Sequence, residues 1–318
     1  MTLTVEDNNG NTSTCAATVT VEDTTDPQAL CQDATVTLDA TGNGSVTAAQ
    51  IDNGSNDACG IASLSLDQTA FDCSEVGVNA VLLTVTDNNG KTSTCSATVT
   101  VEDDTDPQAL CQDATVTLDA TGNGSISAAQ IDNGSNDACG ILSLSLDQTA
   151  FDCSDVGINA VLLTVTDNNG NTSTCSATVT VEDTTDPEAL CQDITIALDP
   201  SGNASITAAQ IDNGSNDACG IASLSLDQTA FDCSDVGINA VLLTVEDNNG
   251  NTSTCSATVT VEDTTDPQAL CQDITIALNP SGNGSVAAAQ IDNGSNDACG
   301  ILSLSLDQTA FDCSEVGQ

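Results

Sequence analysis

An 80-residue period governs this chain. The run Val-Glu-Asp-x-Thr-Asp-Pro begins at Val21, Val101, Val181 and Val261, and Phe71, Phe151, Phe231 and Phe311 keep the same interval. Self-similarity at a fixed period of this size marks a row of like modules, each one folding unit. The prolines Pro27, Pro107, Pro187 and Pro267 interrupt strand patterns, so the joints fall there. Cutting at the joints gives three whole repeats, 23–102, 103–182 and 183–262. Residues 1–22 match the closing strands of a repeat, and 263–318 form a repeat without those strands. Two explanations stay open: the sequence is cut from a longer array, or one chain's tail is completed by the next chain's head.

Within 23–102 the apolar pattern has period two, not 3.6. Residues 34–38 alternate Ala, Val and Leu with Thr; Ala62, Leu64 and Leu66 alternate with serine; Val81, Leu83 and Val85 form a strong strand. Asn89-Gly90 is a hairpin turn, after which Cys95, Ala97, Val99 and Val101 face inward and Thr94, Ser96, Thr98 and Thr100 outward. A weaker strand is expected over 45–51, and a short one around Phe71. The only helical pattern, at 47–50, is too short to count. Six or seven short strands separated by turns predict an all-β chain of tandem immunoglobulin-like β-sandwich repeats of 80 residues.

The markers Asp26-Pro27, Cys31, Cys59-Gly60, Val85-Thr86-Asp87, Gly90, Cys95, Val99, Val101 and Asp103 resemble the hyalin repeat, or HYR, module. That resemblance covers each repeat end to end. It implies an extracellular adhesion and structural module with an immunoglobulin-like fold. The middle strands depart from the pattern in carrying no Trp.

Sixteen cysteines make four per repeat, which points to disulfides and an oxidising, extracellular or cell-surface location. Zinc is the rival use, but neither CxxC pairs nor His are present. In such a sandwich the first and last strands begin at the same end, which predicts Cys31–Cys95, Cys111–Cys175 and Cys191–Cys255. Cys59 opens the third strand and Cys73 follows the returning segment. That predicts Cys59–Cys73, and with it Cys139–Cys153, Cys219–Cys233 and Cys299–Cys313. A Cys15–Cys31 bond across a joint is the alternative. Under the first scheme Cys15 and Cys271 have no partner in one chain, and a Cys271–Cys15 bond would lock copies head to tail by strand donation.

A formal net charge of −46, with Lys91 the one basic residue, excludes a nucleic-acid footprint and disfavours anionic membranes. No run of 18 apolar residues exists to span a membrane, and any export signal lies outside this sequence or has been removed. The charge demands counter-ions. Acidic clusters recur at the joint (Glu22, Asp23, Asp26), in the loop before the third strand (Asp52, Asn56, Asp57) and at the last hairpin (Asp87, Asn88, Asn89). Their counterparts are Asp103, Asp106, Asp132, Asp137 and Asp167; Asp183, Asp186, Asp212, Asp217 and Asp247; and Asp263 and Asp266. Carboxylate, amide and carbonyl oxygens form the ligand set calcium prefers. Turn-forming preference alone also accounts for Asp, Asn and Gly in loops.

The arrangement looks like the inter-domain calcium sites of cadherins, whose joints also run acidic with a proline. Metal there would stiffen the hinge between repeats. General acid–base or nucleophilic chemistry lacks its usual groups, since His is absent and Lys occurs once. The expectation is therefore a non-enzymatic extracellular stalk or filament, partnered by other copies or by further repeats. The alternative is a glycan-, mineral- or ice-binding surface built on the outward Thr rows.

Overall fold

The computed structural model describes residues 1–317. They divide into two compact units. One comprises Met1–Ala114, Ile126–Thr149 and Ala160–Val179; the other comprises Thr115–Ser125, Ala150–Asn159 and the chain from Thr180 onward. Each carries one complete 80-residue sandwich, over 23–102 and 183–262.

The first unit opens with a hairpin of β1 (Thr2–Glu6) and β2 (Thr12–Ala16). The sandwich follows: β3 (Ala34–Thr37), β4 (Asn43–Ser45), α1 (Ala48–Ile51), β5 (Ile61–Leu66), β6 (Ala70–Asp72), β7 (Gly77–Asp87) and β8 (Thr92–Glu102). One sheet has the order β3-β8-β7-β5, and β4 pairs with β6 in a second. β7 and β8 are antiparallel partners eleven residues long; β3 joins β8 in parallel, with Val36 opposite Val101. Side chains alternate across a strand, so Val81, Leu83 and Val85 from β7 and Ala97, Val99 and Val101 from β8 all reach one face. They pack with Val36, Leu38, Val46, Ile51 and Phe71 into a closed core. In the second unit, 183–262 repeats the arrangement, with core residues Leu198, Ile206, Ile211, Phe231, Leu243 and Val259 among others. No helix among the described residues is long and apolar enough to cross a membrane.

Two local expectations give way. The strand expected over 45–51 is a strand only to Ser45, followed by the single turn α1. Gln50 Oε1 accepts both the Thr47 backbone N–H and the Thr47 hydroxyl at 2.8 Å, closing a capped turn that drives Ile51 into the core. In β5, Ala62 is exposed rather than inward. The register slips between Ile61 and Ser63, a bulge that leaves Ile61, Leu64 and Leu66 packed against the core and Ala62 outside it.

The disulfides divide likewise. Cys31 is bonded to Cys95, Cys111 to Cys175 and Cys191 to Cys255. Cys59, however, is free, and Cys73 is bonded to Cys139, one period beyond the expected partner. Cys153 is likewise bonded to Cys219 and Cys233 to Cys299, while Cys313 is free. The register explains why. Cys59 precedes Ile61, which lies opposite Asp87 at the end of β7; Cys73 precedes Gly77 at its beginning. A strand of that length spans about 33 Å, whereas a disulfide requires Cα atoms within about 7 Å. Cys73 therefore meets the next repeat, at a Cα–Cα distance of 5.1 Å. Gly42 makes room for the bond. Its φ of +75° suits glycine, and a Cβ there would lie 2.6 Å from Cys73 Sγ.

Candidate metal centre

Three chain segments converge at the head of each complete repeat. In the first unit, Asp103 of the joint and Asp137 of the loop before the third strand lie, with Cys139, within 4.8 Å of one another. Local turns aim them. Asp103 Oδ1 accepts from the Thr105 N–H at 3.1 Å, and Asp137 Oδ1 from the Cys139 N–H at 2.7 Å. Such Asx turns fix one oxygen of each carboxylate and leave the other to point away. The last hairpin joins them through Asn171, whose side-chain amide donates to the Asp103 carbonyl and to Asp167 Oδ2, both at 2.9 Å.

Equivalent clusters form from Asp23, Asp57 and Cys59; from Asp183, Asp217 and Cys219; and from Asp263, Asp297 and Cys299. Around Cys59, a hydrogen bond to Asp23 together with the charges of Asp23, Asp57 and Asp87 pushes the thiol above its ordinary range. Asp23, Asp57 and Asp87 thus all lie near the Cys59 thiol.

Other candidates are spent elsewhere. Asp26 meets the Lys91 ammonium at 3.6 Å. Asp52 accepts from the backbone N–H groups of Gly54 and Ser55 and ties its own loop; Asp132 and Asp212 do the same. The Asn56 amide donates to Gln28 Oε1, and the Asn88 amide to the Cys59 carbonyl at 2.7 Å. Glu22 is exposed, and Asp106, Asp186 and Asp266 occupy the Asp26 position, outside the clusters. Asp297 belongs to a cluster though only its counterparts were singled out; the period itself carried that signal. The outward threonine row is broken, because Thr94 is exposed but Thr98 and Thr100 are half-buried.

The donor set suits a hard cation. Asp103 and Asp183 are 7% and 8% exposed, yet Oδ2 of each has no hydrogen-bond partner; Asp87 and Asp297 also carry a buried bare Oδ2. A buried anionic oxygen with no donor is costly unless a cation meets it. Cys139, Cys219 and Cys299 are spent in disulfides, so those three clusters offer oxygen ligands, not thiolate. Oxygen-only sets favour calcium or magnesium over zinc.

These features define a class: extracellular or cell-surface immunoglobulin-like repeats, each complete one disulfide-bonded within itself and successive ones bonded to one another. The chain is 31% identical over 261 residues to hyalin of Strongylocentrotus purpuratus, a match that takes in 78% of this chain and 22% of hyalin. The chain is an array of hyalin-type repeats, and it spans about a fifth of the length of that relative. No family model matches it. Among solved structures it is similar to the protocadherin gamma B4 extracellular domain, with TM-score 0.35 and 14% identity over 94% of this chain and 60% of that one. It is also similar to mouse cadherin-23 EC22–24, with TM-score 0.32 and 14% identity over 75% of this chain and 99% of that one.

Proposed function

We propose that this chain is an extracellular structural element, a stalk or filament, whose repeats are bonded to one another by disulfides and stiffened by calcium at the joints. The observation that carries the reading is the bare, buried Oδ2 of Asp103 and Asp183 beside Asp137 and Asp217. Calcium would be held by Asp103, Asp137 and neighbouring oxygens, and correspondingly along the array. It would neutralise carboxylates that otherwise repel across the joint. A structural rather than catalytic role agrees with the absence of His and the single Lys. Its partners would be further repeats, either of the same chain or of other copies joined head to tail.

Calorimetric titration of calcium into chelator-treated protein tests the cation. Saturable binding by the wild type, weakened about tenfold or more at one site by Asp103→Asn, is expected. The accompanying X-ray scattering should show a stiffer particle with calcium. Identical heats for protein and buffer would end the calcium reading.

A further inference from the structure

Disulfides within a repeat and between repeats enclose overlapping stretches of backbone. Cys31–Cys95 closes a loop over 31–95, and Cys73–Cys139 closes one over 73–139. Cys111–Cys175 opens before the second loop ends, and Cys153–Cys219 opens before the third ends. The stagger continues through Cys191–Cys255 to Cys233–Cys299. Every peptide bond from 31 to 299 therefore lies inside at least one loop. A bond cut inside a disulfide loop leaves its two sides joined.

We infer that this stagger makes the array fail-safe: no single backbone cut between Cys31 and Cys299, by an endoprotease or by hydrolysis, divides it into pieces. This goes beyond calcium stiffening and needs no ion.

Each kind of bond guards the stretch the other leaves open. At the joint, residues 96–110 lie outside the loops closed within a repeat, and only Cys73–Cys139 spans them. Residues 140–152 lie outside the loops closed between repeats, and only Cys111–Cys175 spans them. Both stretches hold vulnerable chain. Residues 103–107 form no strand, and Asp104 and Asp106 are exposed; Asp147 and Thr149 are also exposed and outside strands. Exposed irregular backbone is where nicking concentrates.

Continuity is also doubled. One covalent route crosses from Cys31 to Cys95, follows the backbone to Cys111, crosses to Cys175, and repeats through Cys191 to Cys255. The other crosses from Cys73 to Cys139, follows the backbone to Cys153, crosses to Cys219, and repeats through Cys233 to Cys299. The two routes share no peptide bond.

Pairing decides this, not the number of bonds. Cys59–Cys73 and Cys139–Cys153 would nest inside 31–95 and 111–175 and leave 96–110 in no loop, so one cut there would divide the array. The fold selects the stagger at every joint between repeats. Cys73 and Cys139, Cys153 and Cys219, and Cys233 and Cys299 each have Cα atoms 5.1 Å apart. Beside them stand Gly42, Gly122 and Gly202, where a Cβ would lie 2.6, 2.7 and 2.7 Å from Sγ of Cys73, Cys153 and Cys233.

The test cuts the full chain in chelator, with free thiols alkylated first, and reads it by mass spectrometry before and after reduction. A failure of the calcium reading therefore leaves the result untouched. Trypsin has one site, Lys91. The nicked chain should keep its whole mass until reduced, then give 1–91 and 92–318. Dilute acid hydrolyses Asp–Pro bonds, here at Pro27, Pro107, Pro187, Pro200 and Pro267, and low pH suppresses the thiolate that would exchange disulfides. Unreduced, the acid-cut wild type should hold 27–318 together; reduction should release 27–106 among its pieces. Cys73→Ser/Cys139→Ser should release 27–106 without reductant. Cys31→Ser/Cys95→Ser should stay joined after trypsin, and the quadruple variant should part. Wild type that frees 27–106 before reduction would overturn the inference, and does so whether or not any variant folds. A Cys73→Ser/Cys139→Ser chain that stays joined after the acid cut would equally overturn the assignment of the guard to that bond.

Discussion

Residues 183–262 and 263–317 begin with nearly the same sequence and do not have the same structure. Ile-Thr-Ile-Ala at Ile194–Ala197 is a strand; the same four residues at 274–277 are not. The segment Ile221–Leu226 is a strand, whereas its counterpart at 301–306 is not, and Leu302 and Leu304 there are exposed. Pro187 is buried and Pro267 exposed. Yet the small pair Asn283–Ser285 with Ala310–Asp312 and the helical turn Ala288–Ile291 are kept. What survives has both partners within 263–317. What is lost pairs, in 183–262, with Gly237–Asp247 or Thr252–Glu262. Strand formation here is decided by the neighbouring strand, not by local preference. The two long strands are the centre on which each sandwich is built.

The sharpest way to break that comparison is to cut the same side chain in both settings. Leu83 is fully buried and Leu3 is 61% exposed. Leu83→Ala should cost about 3–4 kcal/mol, transfer and cavity terms together. Leu3→Ala in dilute, unassembled protein should cost almost nothing. Urea unfolding followed by circular dichroism reads both. Equal losses would mean that residues 1–22 already pack on something, and that the contrast between regions is false.

The same contrast shows what could be read from residue order. The period, the alternation in 81–85 and 95–101, and the sandwich class were legible because each rests on side-chain spacing that repeats unchanged. The Cys31–Cys95 bond followed from two strands that start together. Cys59 and Cys73 misled because only the pairing of β5 with β7 reveals that they stand at opposite ends of an eleven-residue strand. A chain of near-identical repeats also hides whether a contact is made within a repeat or to the next, since both leave the same pattern. Ala62 was misplaced by a bulge, and 45–51 by a capping contact through Gln50. At the acidic sites, which oxygen stays bare was not legible, because that depends on Asx-turn geometry.

A smaller effect is expected at the hairpin Asp of 103–182. Asp167 is fully buried. Burial pushes its pKa up, but hydrogen bonds from the Asn171 amide and from the Asn169, Asn171 and Gly170 backbones outweigh it and hold the carboxyl below its ordinary range. A depressed pKa in the fold means stability that is present above the unfolded-state pKa and lost as pH falls through the folded one. Asp167→Asn sets an amide donor against that of Asn171 and should cost about 2 kcal/mol at pH 7 in chelator. The gap to wild type should close below about pH 4. A gap that stays constant from neutral to acid would show that the charge of Asp167 contributes nothing.

The smallest effect sets one repeat against the next at a single position. Asn171 and Asn251 donate their amides to Oδ2 of Asp167 and Asp247, at 2.9 and 2.8 Å; in 23–102 the same position is Lys91. Its ammonium turns to Asp26 instead, and Oδ2 of the buried Asp87 is left without a partner. The Lys91–Asp26 pair has side chains 35% and 68% exposed, so solvent screens it and its worth is about 0–1 kcal/mol. A hydrogen bond to a buried carboxylate is worth about 1.5–3 kcal/mol. Lys91→Asn should therefore stabilise the repeat by about 1 kcal/mol. It also removes the one positive charge beside Asp23, so calcium should bind more tightly at that head. Amide hydrogen exchange at Asn89 and residue 91, measured in chelator and again in calcium, reads both effects. Faster exchange in the variant than in wild type, with chelator present, would mean that the lysine's ion pair outweighs the amide it displaces.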